Sequence, residues 1–310
     1  MLFIAHDSIY CHPLPEGHRF PMLKYELIPE QLIYEGTCTT ENFFSPHNTM
    51  LDETLKKYVL LAHSQDYLHD LLNLQISPKM ERRIGFPVTK KLVERELTIT
   101  KGTIQCCHYA FENGVSMNIA GGTHHAYPDK GEGFCLLNDV GVASHYLLEN
   151  NLAKKILVID LDVHQGNGTA VMFQNDPRVF TFSMHGAENY PLKKEISDLD
   201  IPVPTYTSDE AYLAALYETL PELLESVKPD FLFFVSGVDI LASDKLGKLS
   251  VSIQGCKTRD EFVFTTAEKA RLPIVVTMGG GYSPRISDIV EAHSNTFRLA
   301  ESIYRDFTTQ

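Results

Sequence analysis

Two aspartates and a histidine follow an apolar run near the middle of the chain, in the segment ILVIDLDVHQGNG. If residues 156–164 form a strand, Asp160, Asp162 and His164 lie along one side of it, because side chains two positions apart share a face. Carboxylate and imidazole groups in that register can hold a divalent metal. The alternative is a polar loop in which the aspartates cap nearby amides. Acidic side chains seldom lie beside a buried strand without a metal or a pairing partner, which favours the metal site.

Other reactive groups also come directly after predicted strands. His124 and His125 follow one such strand, Asp239 follows a second and Tyr282 follows a third. The carboxyl ends of parallel strands share one edge of a sheet, where binding sites form in crevices. We therefore expect these groups to meet residues 160–164. Taken singly, the histidines could be loop surface, Asp239 could cap a helix, and the glycines before Tyr282 could cradle a phosphate, although the GxGxxG spacing is absent.

Together these groups could carry out amide hydrolysis. Asp162, His164 and Asp239 would supply three ligands and leave one position open, which is typical of a catalytic zinc site. Such a metal lowers the pKa of bound water and polarises a carbonyl. Two adjacent histidines could then supply a general base and an acid. Tyr282 could donate a hydrogen bond to the developing oxyanion, a contribution of about 3–4 kcal/mol.

The elements around these residues predict an α/β fold. Apolar runs alternate with amphipathic helical patterns, which indicates a single domain, residues 1–310, with a predominantly parallel central β-sheet and helices on both faces. Thr207 and Thr258, each followed three positions later by glutamate, predict capping boxes, and Pro284 is placed at the start of the last helix. Phe86 is expected to be an exposed turn residue. The predicted strands are residues 2–5, 115–119, 156–162, 179–183, 231–235 and 274–277, and the predicted helices include residues 23–32, 52–62, 65–74, 92–113 and 138–148.

The composition is that of an ordinary globular protein, with 310 residues of which 44% are hydrophobic. The net charge of −13 argues against direct nucleic-acid binding and would suit a lysine-rich partner. No apolar run is long enough to cross a bilayer, and the sequence beginning MLFIAH lacks a basic n-region. These features predict a cytoplasmic protein, and they leave its oligomeric state open. The six cysteines, without a CxxC pair, are expected to be free thiols.

Five segments resemble, in the same order, the motifs of the histone deacetylase family of zinc-dependent deacylases. They are GGTHHA, GEGFCLLNDV, DLDVHQGNGT, SGVD and GGGY. They cover roughly residues 115–285. The segment HPLPEGHRFPM also resembles the amino-terminal segment of that family. The length and the DVHQGNG form are most similar to the small class IV-like and bacterial members. The resemblance implies an arginase/deacetylase-like fold and a hydrolase that removes acetyl or longer acyl groups from lysine Nε-amides.

The resemblance also implies a role for each catalytic residue. His125 would be the general base, and His124 would lie near the leaving amine and pair with Asp160. Tyr282 would stabilise the tetrahedral oxyanion. The carboxylate that partners the second histidine in class I relatives is replaced here by Asn167. An amide stabilises an imidazolium less than a carboxylate does, so we expect this histidine to be less basic.

The same resemblance implies the binding residues. Gly133 and Phe134 would line the channel for the lysine stem, Tyr190 would form the opposite wall, and Arg19 would lie toward the inner end of the pocket. The cofactor would be Zn²⁺ or Fe²⁺ held by the three metal ligands proposed above. A structural K⁺ or Na⁺ would lie at an inner site formed by Asp160, Asp162, His164, Ser183 and Met184.

Two other functions compete with this interpretation. An arginase-like manganese enzyme would need a second metal, but Gly237 and Asn167 stand where further carboxylates would be required. A non-catalytic binder of acyl-lysine would be expected to lack Tyr282 or a metal ligand, and all are present. The substrate remains open between an acyl-lysine peptide or protein and an acylated amine such as an acetylpolyamine or another small amide.

Overall fold

Eight strands form one parallel β-sheet in the computed structural model, which describes residues 1–46 and 52–307. Their order across the sheet is β2-β1-β3-β8-β7-β4-β5-β6. Every residue of β3, β4, β7 and β8 is buried, as expected when helices cover both faces of a parallel sheet. The predicted fold class is therefore confirmed. The strands are β1 Phe3–Ala5, β2 Phe43–Phe44, β3 Val115–Asn118, β4 Ile156–Asp160, β5 Val179–Gly186, β6 Leu199–Val203, β7 Phe231–Val235 and β8 Ile274–Thr277.

The helices begin and end where local chemistry favours it. Hydroxyl, carboxylate and amide side chains accept backbone N–H bonds at several amino ends, namely at Asp52, Ser64, Ser77, Thr89, Asn138 and Ser252. The long α5 ends at Gly114, whose φ of +80° suits a glycine. The helices are α1 Lys24–Tyr34, α2 Glu53–Ala62, α3 Gln65–Leu72, α4 Pro78–Ile84, α5 Lys90–Asn113, α6 Asp139–Glu149, α7 Asn167–Phe173, α8 Asp209–Val227, α9 Ile253–Lys269 and α10 Ile286–Tyr304.

Both predicted capping boxes and the predicted start of the last helix are wrong. The Thr207 hydroxyl donates to the Pro204 carbonyl and closes a turn, so α8 begins after Ser208 instead. Thr258 lies inside α9, which Ser252 caps. In α10 the first helical residue lies two positions after the predicted proline. In the first two cases a turn bond or a nearer capping serine takes the place of the predicted threonine cap.

The edge of the sheet and one aromatic residue also differ from expectation. β5 continues to Gly186, three residues past its predicted end, and β6 lies in a segment for which no strand was predicted. Four of the five β6 residues are only partly buried or exposed, so the strand lacks the apolar run that marks the central strands. Phe86 is buried rather than exposed, because its ring packs 5.1 Å from that of Phe134. Within residues 1–46 and 52–307, no helix is long and apolar enough to cross a bilayer.

Candidate metal and catalytic site

Polar groups converge where four neighbouring strands end. The sheet order places β3, β8, β7 and β4 side by side, and the loops after them carry the residues singled out by their types and spacing. A cavity of about 40 Å³ lies among these loops. Five of the expected catalytic and metal-binding residues line it: His124, His125, Asp162, His164 and Tyr282. The structure thus brings together groups that are far apart in the sequence.

Asp162, His164 and Asp239 form a buried cluster that could hold a metal ion. His164 Nδ1 lies 3.0 Å from Asp162 Oδ1 and 3.1 Å from Asp239 Oδ2. One candidate ligand atom from each residue lies within 4.8 Å of the other two. Among the described residues, Asp239 Oδ2 is a buried oxygen with no hydrogen-bond partner, which is costly unless a cation or proton satisfies it. The cluster therefore fits a divalent metal such as Zn²⁺.

Backbone groups hold the two aspartates in place. The N–H of Val163 donates to Asp239 Oδ1 at 2.9 Å, and the N–H of Gly280 donates to Asp162 Oδ2 at 2.7 Å. A Cβ on Gly280 would collide with the Asp239 carboxylate, and one on Gly237 would collide with Asp162. These glycines let the loops after β7 and β8 approach the carboxylates closely.

The charges around the cluster favour a cation between the carboxylates. Burial lowers the pKa of His164, but the hydrogen bond to Asp162 and the negative charges of Asp162 and Asp239 outweigh it and raise the pKa to about 10. Burial and the charge of Asp162 raise the pKa of Asp239 to about 7. Without a metal, the cluster therefore retains protons at neutral pH. A divalent cation would take their place.

The two adjacent histidines have different partners. His124 Nδ1 donates to Asp160 Oδ2 at 2.7 Å, and His125 Nδ1 donates to Asn167 Oδ1 at 2.6 Å. Burial lowers the pKa of His124, but the charges of Asp160 and Asp162 outweigh it and raise the pKa to about 9.

Burial also lowers the pKa of His125, and here the charges of His124 and His164 lower it further, to well below its usual value of 6.5. At neutral pH the first histidine keeps its proton and the second is free to accept one. Two neighbouring imidazoles are thereby prepared for opposite proton transfers.

The predicted channel residues flank the histidine pair. Gly133 and Phe134 line the cavity. A Cβ on Gly133 would collide with the imidazole of His125. Tyr190 packs its ring perpendicular to that of His125, with the centroids 5.0 Å apart, and it is 39% exposed. The aromatic groups thus border the approach to the histidines.

Arg19 does not lie at the inner end of the pocket, so that prediction is wrong. Its exposed guanidinium carbon lies 5.0 Å from the ring centroid of Phe134, and Phe20 lines the cavity instead. The arginine at the cavity is Arg95 on α5, which is 2% exposed and donates to the Tyr10 carbonyl at 2.7 Å. A lone arginine within a long helix gives no sequence signal of a pocket position.

Three of the residues expected to form an inner monovalent-cation site, Asp160, Ser183 and Met184, lie on adjacent strands, and the other two follow the end of β4. Asp160 on β4 is the register partner of Ser183 on β5. Ser183 and Met184 are buried, and Ser183 Oγ lies 3.0 Å from His185 Nδ1. The cation itself stays a prediction.

Two buried cationic side chains that the sequence reasoning missed support the loops of the site. Lys24 Nζ donates to the Gly279 carbonyl at 3.1 Å, and burial lowers the pKa of this lysine to about 8. Arg259 on α9 donates to the carbonyls of Leu161 and Gly237, next to the aspartates after β4 and β7. Both cations lie in amphipathic helical patterns, where charged residues usually face solvent.

The parallel sheet and its covering helices are those of the arginase–deacetylase fold. A family model described as a histone deacetylase domain matches residues 18–297. The chain therefore belongs to the histone deacetylase family, as its motifs predicted.

Individual relatives agree with this assignment. The chain is 42% identical over 301 residues to an uncharacterized protein of Picosynechococcus sp., with 97% of this chain and 99% of that protein covered. It is 29% identical to histone deacetylase 2 of Arabidopsis thaliana, with 86% and 70% covered. A crystal structure of a histone deacetylase homologue complexed with SAHA superposes with a TM-score of 0.82 at 23% identity, covering 100% of this chain and 85% of that one.

Proposed function

We propose that this protein is a zinc-dependent amidohydrolase that removes acetyl or longer acyl groups from lysine Nε-amides. The observation that carries the proposal is a pair of adjacent histidines, one bonded to a carboxylate and the other to an amide, beside a buried cluster of three possible metal ligands. Family membership supports the same reaction class. The homologue crystallised with SAHA shows that a related fold accepts that compound.

The proposed metal would be Zn²⁺, with Fe²⁺ as the alternative, held by Asp162, His164 and Asp239. When bound, it would polarise the amide carbonyl and lower the pKa of water at the open position. His125 takes the proton of the attacking water, because its Nδ1 is already committed to Asn167 and its Nε2 is left as the acceptor.

The remaining groups act on the substrate after that proton moves. His124, held by Asp160, gives its proton to the leaving amine. Tyr282 lines the cavity and donates a hydrogen bond to the oxyanion. Phe134 and Tyr190 contact the aliphatic stem of the lysine between them, which excludes water from the reacting amide.

We further propose that residues 1–310 form one catalytic domain that works in the cytoplasm without direct nucleic-acid binding. An inner K⁺ or Na⁺ would stabilise the loops after β4 and β5. The net charge of −13 favours a cationic substrate, which a lysine-rich peptide and an acetylpolyamine both satisfy. The acylated amine is therefore the second candidate substrate.

Purified protein tests the proposal directly. Turnover of acetyl-, butyryl-, decanoyl- and myristoyl-lysine peptides and of acetylpolyamines would be measured with zinc, with iron(II) and with a chelator. We expect metal-dependent amide hydrolysis and a clear preference within the panel. Folded protein that binds the peptides without turning over any substrate would instead support a non-catalytic binder. Turnover that the chelator leaves unchanged would contradict the metal mechanism.

A further inference from the structure

Glu132 is a buried carboxylate behind the partner of the general base. It lies in the loop between β3 and α6, and it is 7% exposed. Its Oε1 accepts a hydrogen bond from Asn167 Nδ2 at 2.9 Å and another from the Tyr190 hydroxyl at 2.5 Å. Nε of the partly exposed Arg83 lies 3.6 Å from the other carboxylate oxygen, Glu132 Oε2. The nearly enclosed carboxylate thus faces the amide that contacts His125.

The hydrogen bonds around Asn167 fix which way its amide points. Its Nδ2 donates to Glu132 and, at 3.0 Å, to the hydroxyl oxygen of Tyr127, which itself donates to Glu195 at 3.1 Å. Both neighbours on that side accept, so the amide oxygen must face His125. Turning the amide over would place its oxygen against a carboxylate and its NH₂ against the imidazole, and would lose both bonds.

This orientation decides the tautomer of the histidine. Because Asn167 offers only an acceptor, His125 must carry its proton on Nδ1. The Nε2 lone pair is then free on the side of the cavity. A hydrogen bond from the amide to a carboxylate also polarises the amide, which makes its oxygen a stronger acceptor.

We propose that Glu132 is a positioning residue that acts through Asn167 to set the tautomer and raise the basicity of His125. The proposal rests on the proposed function, in which this histidine is the general base. It also explains how an amide can replace the class I carboxylate here. Glu132 contacts Asn167 instead of the imidazole, and its negative charge polarises the amide that accepts from His125.

The same carboxylate couples the base to the channel wall. Tyr190 donates to Glu132 and packs against His125, so one acceptor holds both the wall and the partner of the base. A purely structural role for Glu132 would therefore affect substrate binding and stability alone. A role through the amide would also change how the rate depends on pH.

The first test is Glu132→Gln, which keeps the shape and an acceptor oxygen but removes the charge. We expect kcat to fall about tenfold, in line with the loss of other supporting hydrogen-bond partners, while KM changes much less. The acidic limb of the kcat/KM profile should move to lower pH, because the imidazole loses a stabilising negative charge. The charged and titratable groups that surround His125, and so affect its pKa, are His124, His164, Asp162 and the Arg83–Glu132 pair.

Glu195→Gln is the matched control, because it removes a nearby carboxylate that reaches Asn167 only through the Tyr127 hydroxyl. We expect this variant to keep the wild-type acidic limb. An equal shift in both variants would mean that any loss of negative charge nearby is sufficient, and it would overturn the specific role of Glu132.

The second test moves the carboxylate back beside the imidazole. Asn167→Asp alone places two carboxylates in contact and should lose more activity than Glu132→Gln. Adding Glu132→Gln to it lets the glutamine donate to the new aspartate, so the double variant should recover at least tenfold over Asn167→Asp. If the loss of activity in the double variant equals the product of the losses in the two single variants, the proposed coupling between Glu132 and Asn167 is overturned.

Nitrogen-15 chemical shifts of His125 supply a readout that does not depend on turnover. We expect the wild-type ring to be the Nδ1-protonated tautomer in the metal-loaded protein, and Glu132→Ala to produce a tautomer mixture. An unchanged tautomer together with an unchanged pH profile would overturn this inference. A wild-type protein without metal-dependent turnover would instead contradict the proposed function, and the tautomer comparison would still test Glu132.

Discussion

The neighbours of each imidazole decide which of the two adjacent histidines keeps its proton. A carboxylate partner raises the pKa of His124 to about 9, whereas burial and two nearby imidazoles lower that of His125. The two residues are of the same type, and their different environments move their pKa values apart. The same principle lets an acid and a base work side by side at one pH in enzyme active sites. A carboxylate one residue further away, Glu132, then refines the second environment through an amide.

At the same scale, Tyr282→Phe removes a single hydroxyl group and so tests its proposed role as the oxyanion donor. We expect zinc content and the binding of an unreactive substrate analogue to stay near wild type, while kcat falls by about 10²–10³-fold through loss of an oxyanion donor. Elemental analysis and steady-state kinetics measure the two effects. Tyr206→Phe, at a 78% exposed tyrosine, is the control and should be fully active. A near-wild-type kcat for Tyr282→Phe would refute the assigned role.

Metal binding should release protons from the ligands. In the metal-free protein the pKa of His164 is about 10 and that of Asp239 about 7, so the cluster holds a proton below pH 10 and a second one below pH 7. The metal competes with these protons, and its affinity therefore rises with pH up to about 10.

Titration calorimetry at pH 8, in buffers of different ionisation enthalpy, should show about one proton released per zinc. A heat of binding that does not depend on the buffer would contradict the protonated cluster.

At the scale of the elements, α9 braces the loops after β4 and β7. Arg259 on this helix is fully buried, pairs with Asp260 at 2.8 Å and donates to two loop carbonyls. Arg259→Met leaves a buried carboxylate without its cation, and we expect a loss of about 3–5 kcal/mol in the free energy of unfolding. Metal affinity should fall as well, because the loops lose their common donor.

Denaturant unfolding and zinc titration measure these two losses. Arg305→Met, which removes an exposed arginine paired with Glu301 on α10, provides the comparison and should unfold as wild type does. Equal stability of the two variants would show that α9 does not brace the site.

Sequence patterns predicted the central elements better than the edges, for physical reasons. β4 and β7 are wholly buried, so their apolar runs stand out, and the groups after them were placed correctly at one edge. β6 is partly exposed, and the start of α8 depends on a turn bond made by Thr207. Neither leaves a periodic signal.

In the site, the residues named by family motifs were brought together, but the supporting charges were not foreseen. Lys24, Glu132 and Arg259 are buried, although charged side chains of these types usually face solvent. Their burial results from tertiary contacts with residues more than 20 positions away in the sequence. Arg19 shows the opposite error, since a motif position predicted the inner end of the pocket and the residue is exposed. Local patterns carry no information on either outcome.

For the whole molecule, the metal should be a major source of stability. Two buried carboxylates with one imidazole are poorly compensated without a cation, and a ligand that binds only the folded state stabilises it by mass action. At zinc concentrations 1,000-fold above Kd the gain is about 4 kcal/mol. We expect a chelator to lower the melting temperature by several degrees, measured by calorimetry.

Asp239→Ala provides the control for that experiment, because it removes one ligand. We expect this variant to contain no zinc and to melt at the same temperature with and without the chelator. Full zinc occupancy in the variant would count against this aspartate as a ligand.

The place of β8 in the sheet has a consequence for how the protein is made. It is the last strand in the described part of the chain, yet it pairs between β3 and β7 near the centre of the sheet. During synthesis, β4 and β7 emerge before β8 and can pair with each other. Their pairing brings together the loops that carry Asp162, His164 and Asp239. Tyr282 and the Gly280 N–H that holds Asp162 are added only with the segment that follows β8. In the proposed mechanism, a growing chain would therefore assemble its metal ligands before it gains Tyr282, and activity would appear only when β8 enters the middle of the sheet.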